Sequence, residues 1–262
     1  MYSSEHKEYL KKVKRKKSII LFFQILILVL IIAFWQLLAD YNIINTFLSS
    51  SPKGIFNTLI SLYNSNNLFN HIYVTVYEIA ISLLLGTLIG FVISSLLWWN
   101  DYFAKIFDPY LTIFNSLPKV ALGPIIIIIA GANRKSIILM ALLISVIITI
   151  INMYQSFILT DDNKIKLLKS FNASKKQIYR YLILPSSFSN IISTLKINIS
   201  MSLVGVIMGE FLVSKEGIGY LIMYGSQVFN LDLVMTGIFL LLILSAILYY
   251  LVVFIEKKVN NG

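Results

Sequence analysis

The sequence predicts an all-α integral membrane protein with about six transmembrane helices and one long basic loop, and three observations carry that prediction. Of the 262 residues, 58% are hydrophobic and only 13% charged, with a mean hydropathy of +0.81, outside the balance of soluble domains. Long apolar stretches recur, most of them sufficient at about 1.5 Å per residue to cross a hydrocarbon core of about 30 Å. Basic residues crowd some of the connections between these stretches and are sparse in the others.

Residues 1–17 form a basic tail holding Lys7, Lys11, Lys12, Lys14, Arg15, Lys16 and Lys17. The uncharged run 18–39 follows. It ends Phe34-Trp35-Gln36-Leu37-Leu38-Ala39-Asp40, without the short apolar core and small-residue cleavage site of a signal peptide, so a retained anchor is expected, with Trp35 at the interface. Further spans are expected at 72–98, 111–130, 137–159, 191–213 and 233–255, making 18–262 one transmembrane unit. The third contains Pro118, Lys119, Gly123 and Pro124, and reads either as a kinked helix or as a short inner-side helix leading into the membrane.

With the N-terminus placed in the cytosol, the tail, Lys105, the loop 160–190 and Lys257 with Lys258 hold 16 basic residues. The opposite connections hold only Lys53, Arg134, Lys135 and Lys215. That bias predicts a multi-pass protein of the cytoplasmic membrane with both termini cytosolic. A net charge of +10 unaccompanied by a groove-reading motif gives no expectation of a nucleic-acid partner. The absence of cysteine excludes disulfides, Cys-ligated zinc and thiol nucleophiles.

The loop 160–190 interleaves Lys164, Lys166, Lys169, Lys175, Lys176 and Arg180 with Leu167, Leu168, Phe171, Ile178 and Leu182. Apolar positions at three- and four-residue steps predict two short amphipathic helices. Asn172 lies between them and tolerates the left-handed conformation that ends a helix; Ser174 suits the cap of the second, and Pro185 is expected to close the segment. The pattern alone also fits a basic loop lying on anionic headgroups.

Here the chain resembles the binding-protein-dependent permeases of ATP-binding-cassette importers, and more narrowly their nitrate, sulfonate and taurine branch. Lys166-Leu167-Leu168, Lys169-Ser170-Phe171, Asn172-Ala173-Ser174 and Leu184-Pro185 match in spacing that family's E-A-A, three residues, G-A-S and L-P. Gly209-Glu210-Phe211-Leu212 resembles its small-residue-Glu pair, Glu216-Gly217-Ile218-Gly219-Tyr220-Leu221-Ile222 its G-L-G-Y-L-I turn, and Ser116-Leu117-Pro118-Lys119-Val120-Ala121-Leu122-Gly123-Pro124 its S-L-P-K-x-A-x-x-P. Lys166-Leu167-Leu168 departs from the acidic and alanine pattern, Asn172 replaces a glycine, and Glu78 stands where many relatives have arginine.

The resemblance implies two permease copies, in a homodimer, two ATPase subunits on the cytosolic loops, and an extracellular or periplasmic substrate-binding protein, all beside membrane lipid. The ATPase-docking residues would be Leu167, Leu168, Ser170, Phe171, Asn172, Ala173, Ser174 and Lys175. The solute would be small and polar, an anion such as a sulfonate, taurine or nitrate. The sequence holds no G-x-x-x-x-G-K-S/T phosphate loop, so no cofactor is expected on this chain and ATP would be used by the partner.

Glu78, Lys119 and Glu210 are candidate pathway residues, each with a plainer alternative: headgroup exposure or a structural hydrogen bond for Glu78, snorkelling for Lys119, a structural hydrogen bond for Glu210. Lys196 is expected to snorkel. Gly86 with Gly90 and Gly205 with Gly209 form G-x-x-x-G pairs that let helices approach closely, within one chain or between two. An ion-coupled carrier or channel is the rival reading, with Glu78 and Glu210 binding a coupling proton. Intramembrane catalysis is disfavoured, because His6 and His71 lie outside or at the edge of the expected spans and no H-E-x-x-H occurs.

Overall fold

A computed structural model describes residues 4–260, and among the described residues no strand occurs. In order the helices are α1 (Ser4–Asp40), α2 (Thr46–Ser49), α3 (Pro52–Asn64), α4 (Leu68–Trp99), α5 (Asp101–Ser116), a 3-10 turn (Lys119–Leu122) and α6 (Gly123–Ala130). There follow α7 (Arg134–Ile158), α8 (Asp162–Ser170), α9 (Lys175–Ile178), a π-turn (Tyr179–Ile183), α10 (Leu184–Val213), α11 (Ile218–Gln227) and α12 (Leu231–Asn260). Among the described residues five helical stretches are long and apolar enough to cross a bilayer, or up to six with one bent pair counted as a span.

That bent pair bears out the break expected at Pro118 and corrects the bounds of the expected span 111–130. α5 begins at Asp101 and stops at Ser116, and the chain turns by 88° before running on through Lys119–Ala130. The cause is local: Pro118 has no N–H to continue the helix, and Leu117 before it is extended, with ψ 138°. Pro185 is a second correction. It does not close the loop, because one helical run continues from Lys175 to Val213. The π-turn ahead of it sends the Leu184 N–H to the Tyr179 carbonyl, five residues back, and Pro185 falls in the first turn of α10, where its missing N–H costs little.

Three helices make the centre. α4 and α7 run parallel and α10 antiparallel to both, because small residues let them touch. A Cβ on Gly86 would stand 2.6 Å from Ser145 Oγ, and one on Gly90 would strike Thr149. A Cβ on Gly205 would strike the backbone of Ala141, and one on Gly209 would stand 2.9 Å from Ile137 Cα. Both glycine pairs therefore face α7 of the same chain. Lipid tails are as apolar as leucine, so close packing of this kind and internal hydrogen bonds, not hydrophobic burial, hold such helices together. The seam is polar in its middle: Thr149 Oγ1 lies 2.7 Å from Asn198 Oδ1, and Asn198 Nδ2 donates to Thr87 Oγ1 at 3.1 Å.

The outer helices are tied on at points. Ser50 Oγ donates to Asp232 at 2.6 Å, joining the α2–α3 connection to α12. Lys196 does not merely snorkel; it pairs with Glu256 of α12 at 2.6 Å. α1 meets the rest through α3, where Gln36 Oε1 accepts the Lys53 N–H at 2.9 Å, and its apolar window is wholly uncovered.

Because Gly205 abuts backbone that cannot yield, Gly205→Val should destabilise the chain by about 1–3 kcal/mol, the usual cost of overpacking. Thermal unfolding in detergent checks this; a variant that melts with the wild type would show that α7 and α10 do not touch here.

Candidate functional site

Two regions of the bundle carry unusual chemistry, one at each end. At the first, α8 is capped by Asp161, which accepts the Asn163 N–H at 2.8 Å, and it ends in a Schellman turn. Asn172 takes the left-handed conformation, φ 55°, and its N–H reaches Lys169 O at 2.9 Å, while the Ala173 N–H reaches Leu168 O at 3.1 Å. Two residues later Ser174 and Gln177 form a reciprocal capping box: Ser174 Oγ accepts the Gln177 N–H at 3.3 Å and Gln177 Oε1 accepts the Ser174 N–H at 2.7 Å.

This turn presents Phe171, 74% exposed, with Leu167 also exposed beside it. Leu168 and Ala173 point back toward a core of Met153, Phe157, Ile178 and Ile183. Ser170 donates to the Leu167 carbonyl at 2.7 Å. A hollow of about 220 Å³ lies among Leu168, Phe171, Asn172, Ala173, Gln177 and Tyr181. Lys175 differs from its neighbours, for its Nζ turns onto the Trp99 carbonyl at 2.8 Å.

At the other end, where α4 and α7 begin and α10 ends, a polar cluster is buried. Glu210 is 1% exposed. Its Oε1 accepts from Thr75 Oγ1 at 2.6 Å and its Oε2 from the Gly219 N–H, while Thr75 Oγ1 itself accepts the Ile218 N–H at 2.8 Å. The carboxylate thus sits at the N-terminus of α11, where unpaired backbone N–H groups and the helix dipole favour an anion. Gly217 is required twice over: its φ is +107°, and a Cβ there would collide with the Glu210 carboxylate. Its N–H donates to His71 Nδ1 at 3.0 Å.

Glu78 corrects the alternative of headgroup exposure, being fully buried next to Glu210. Its carboxyl group faces that of Glu210, with which it can share a proton, and Arg134 Nε stands 3.7 Å from Oε1. Arg134 also reaches Glu216 Oε2 at 3.0 Å, so it spans α4 and the α10–α11 turn. Lys119 is not part of this cluster; at the break after α5 it bonds the Asn115 carbonyl at 3.1 Å.

Sequence reasoning missed His71, Thr75 and Arg134. His71 lies in the first turn of α4, at the edge of the span as expected, and is buried there. Its signal was present: His71, Thr75, Glu78 and Ser82 follow one another at four-, three- and four-residue steps, a single polar stripe on an otherwise apolar helix. Among the described residues no group of acidic or histidine side chains could hold a metal ion.

Residues 83–261 match the family described as binding-protein-dependent transport system inner membrane component. The chain is 27% identical to a probable ABC transporter permease protein of Haemophilus influenzae, over 86% of this chain and 91% of that one. It is 25% identical to a putative aliphatic sulfonates transport permease protein of Bacillus subtilis, over 87% and 83%. Among solved structures, a chain of the inward-facing MetNI methionine ABC transporter shares the fold, with a TM-score of 0.64 at 18% identity over 72% of this chain and 94% of that one.

The Thr75 hydroxyl serves as both donor to Glu210 and acceptor from Ile218, so Thr75→Val keeps the shape and strands two polar groups. The expected cost is about 1–3 kcal/mol, with Thr75→Ser close to wild type. Thermal unfolding measures it, and equal melting of the valine and serine variants would contradict the arrangement.

Proposed function

The chain belongs to the family of binding-protein-dependent transport system inner membrane components, a transport permease and not an enzyme, and from that premise we propose that it is the pathway subunit of an importer driven by a separate ATPase. The observation that carries the proposal is the turn at Phe171–Ser174. A Schellman motif and a capping box, back to back, hold an exposed aromatic outside the bundle in a defined position. A large apolar side chain held rigidly in that way serves as an anchor for a protein surface, where buried aromatics dominate binding energy. In this reading Leu167, Phe171 and the adjacent hollow receive the ATPase in the cytosol, and both termini lie on that side.

The opposite end, with Glu78, Arg134, Glu210 and Glu216, then faces the substrate-binding protein. A second copy of the chain completes the pathway. The solute is proposed to be small and polar, an anion of the sulfonate, taurine or nitrate kind; the relatives' sulfonate transport supports that class.

Vesicles holding the permease, its ATPase and its binding protein should accumulate such an anion only with ATP on the ATPase side. Uptake by the permease alone under a proton or sodium gradient would instead establish an ion-coupled carrier. Phe171→Asp should release the ATPase on co-purification and lower ATP-driven uptake at least about tenfold, as loss of an interface anchor does. Retained binding and uptake would remove this turn from the interface.

A further inference from the structure

We infer that Lys175 and Tyr179 are the residues that couple the docking turn to α4, so that movement of the turn is delivered to the α4–α7 pair as well as to α10, with which the turn is continuous. The inference rests on the docking reading above and concerns what lies behind the docking surface.

Lys175 is the first residue of α9, directly after the Ser174 cap. Its ammonium bonds the Trp99 carbonyl at 2.8 Å and lies 5.3 Å from the centre of the Trp98 ring. Trp99 is the last residue of α4, so that carbonyl has no partner within its own helix, and a cation there also complements the negative end of the dipole. Tyr179, one turn on, packs its ring 4.9 Å from Trp98, 5.6 Å from Trp99 and 5.9 Å from Phe157 of α7.

The Tyr179 hydroxyl lies 2.6 Å from Ser95 Oγ. Ser95 Oγ also lies 2.6 Å from the Phe91 carbonyl, which can only accept. A serine hydroxyl has one proton, so Ser95 spends it on Phe91 and Tyr179 donates to Ser95. Two directed bonds and an aromatic cluster therefore fasten α9 to the end of α4. By contrast the contacts of α8 with this core are apolar, through Ile165 and Leu168.

The link to α10 is different in kind. Tyr179 opens the π-turn, and its carbonyl accepts the Leu184 N–H. One residue is thus held to α4 by its side chain and to α10 by the backbone of a helical run that continues to Val213. α4 is in turn locked to α7 by the Gly86–Ser145 and Gly90–Thr149 contacts. A push on the docking turn therefore passes along the continuous helical run to α10 and through the Lys175 and Tyr179 contacts to α4 and α7, and packed helices respond to such a push as bodies.

The test uses the full complex of permease, ATPase and binding protein in vesicles, with co-purification, ATP hydrolysis and uptake measured together. Tyr179→Phe and Ser95→Ala should each keep the ATPase bound and hydrolysing, while the solute moved per ATP falls about fivefold, the size of one lost hydrogen bond. The double variant should be no worse than either single one, because both remove the same bond. Lys175→Met should behave likewise. An unchanged ratio of transport to hydrolysis in correctly assembled complexes would overturn the inference, and so would additive effects in the double variant. Loss of the ATPase from Tyr179→Phe would also overturn it, since that places Tyr179 in the docking surface. Failure of the docking reading looks different: Phe171→Asp would leave the complex intact.

Discussion

The buried carboxylate of Glu210 is the constraint around which one end of this bundle is organised. Buried away from solvent, the acid has to find its donors within the protein. The protein supplies them by ending α10 and turning the chain back at once, so that the Gly219 N–H and the Thr75 hydroxyl reach the two oxygens. The turn is possible only because position 217 is glycine, and the same turn sets the direction of α11 and the place of Glu216. Arg134 then joins that turn to Glu78, so α4, α7, α10 and α11 meet in one polar knot.

The other end obeys the opposite rule. Phe171 and Leu167 are left in the open by a turn whose backbone groups are satisfied within the turn itself. Between the two ends runs the seam of α4, α7 and α10, close-packed at Gly86, Gly90, Gly205 and Gly209. A closely packed seam transmits displacement with little loss, because dense packing leaves no slack to absorb it. The geometry thus joins an exposed turn at one end of the bundle to a charged cluster at the other.

Much of this was legible in the sequence because lipid imposes simple patterns. Long apolar runs identified the spans, and glycine spacing marked the helices that touch. The turn at Asn172 and Ser174 could be read because capping is local chemistry. What could not be read depends on contacts distant in sequence. That Glu78 lies beside Glu210 follows from the antiparallel register of α4 and α10, which no local signal encodes. Lys175 was grouped with the docking residues by its neighbours, yet its side chain serves the end of α4, 76 positions earlier. Proline was misleading in one place and informative in another: Pro118 breaks its helix, whereas Pro185 is accommodated by a π-turn that periodicity does not reveal.

The proposed function requires that the docking turn and the Glu210 cluster face opposite sides of the membrane. The chain has no cysteine, so single cysteines at Ser170 and at Ser65, in the connection after α3, can be labelled against no background. In intact cells an impermeant thiol reagent should label the cysteine at Ser65 and leave that at Ser170 untouched until the membrane is opened. Labelling at Ser170 from outside would contradict the account, because the turn that presents Phe171 would then lie on the side where no ATPase can reach it.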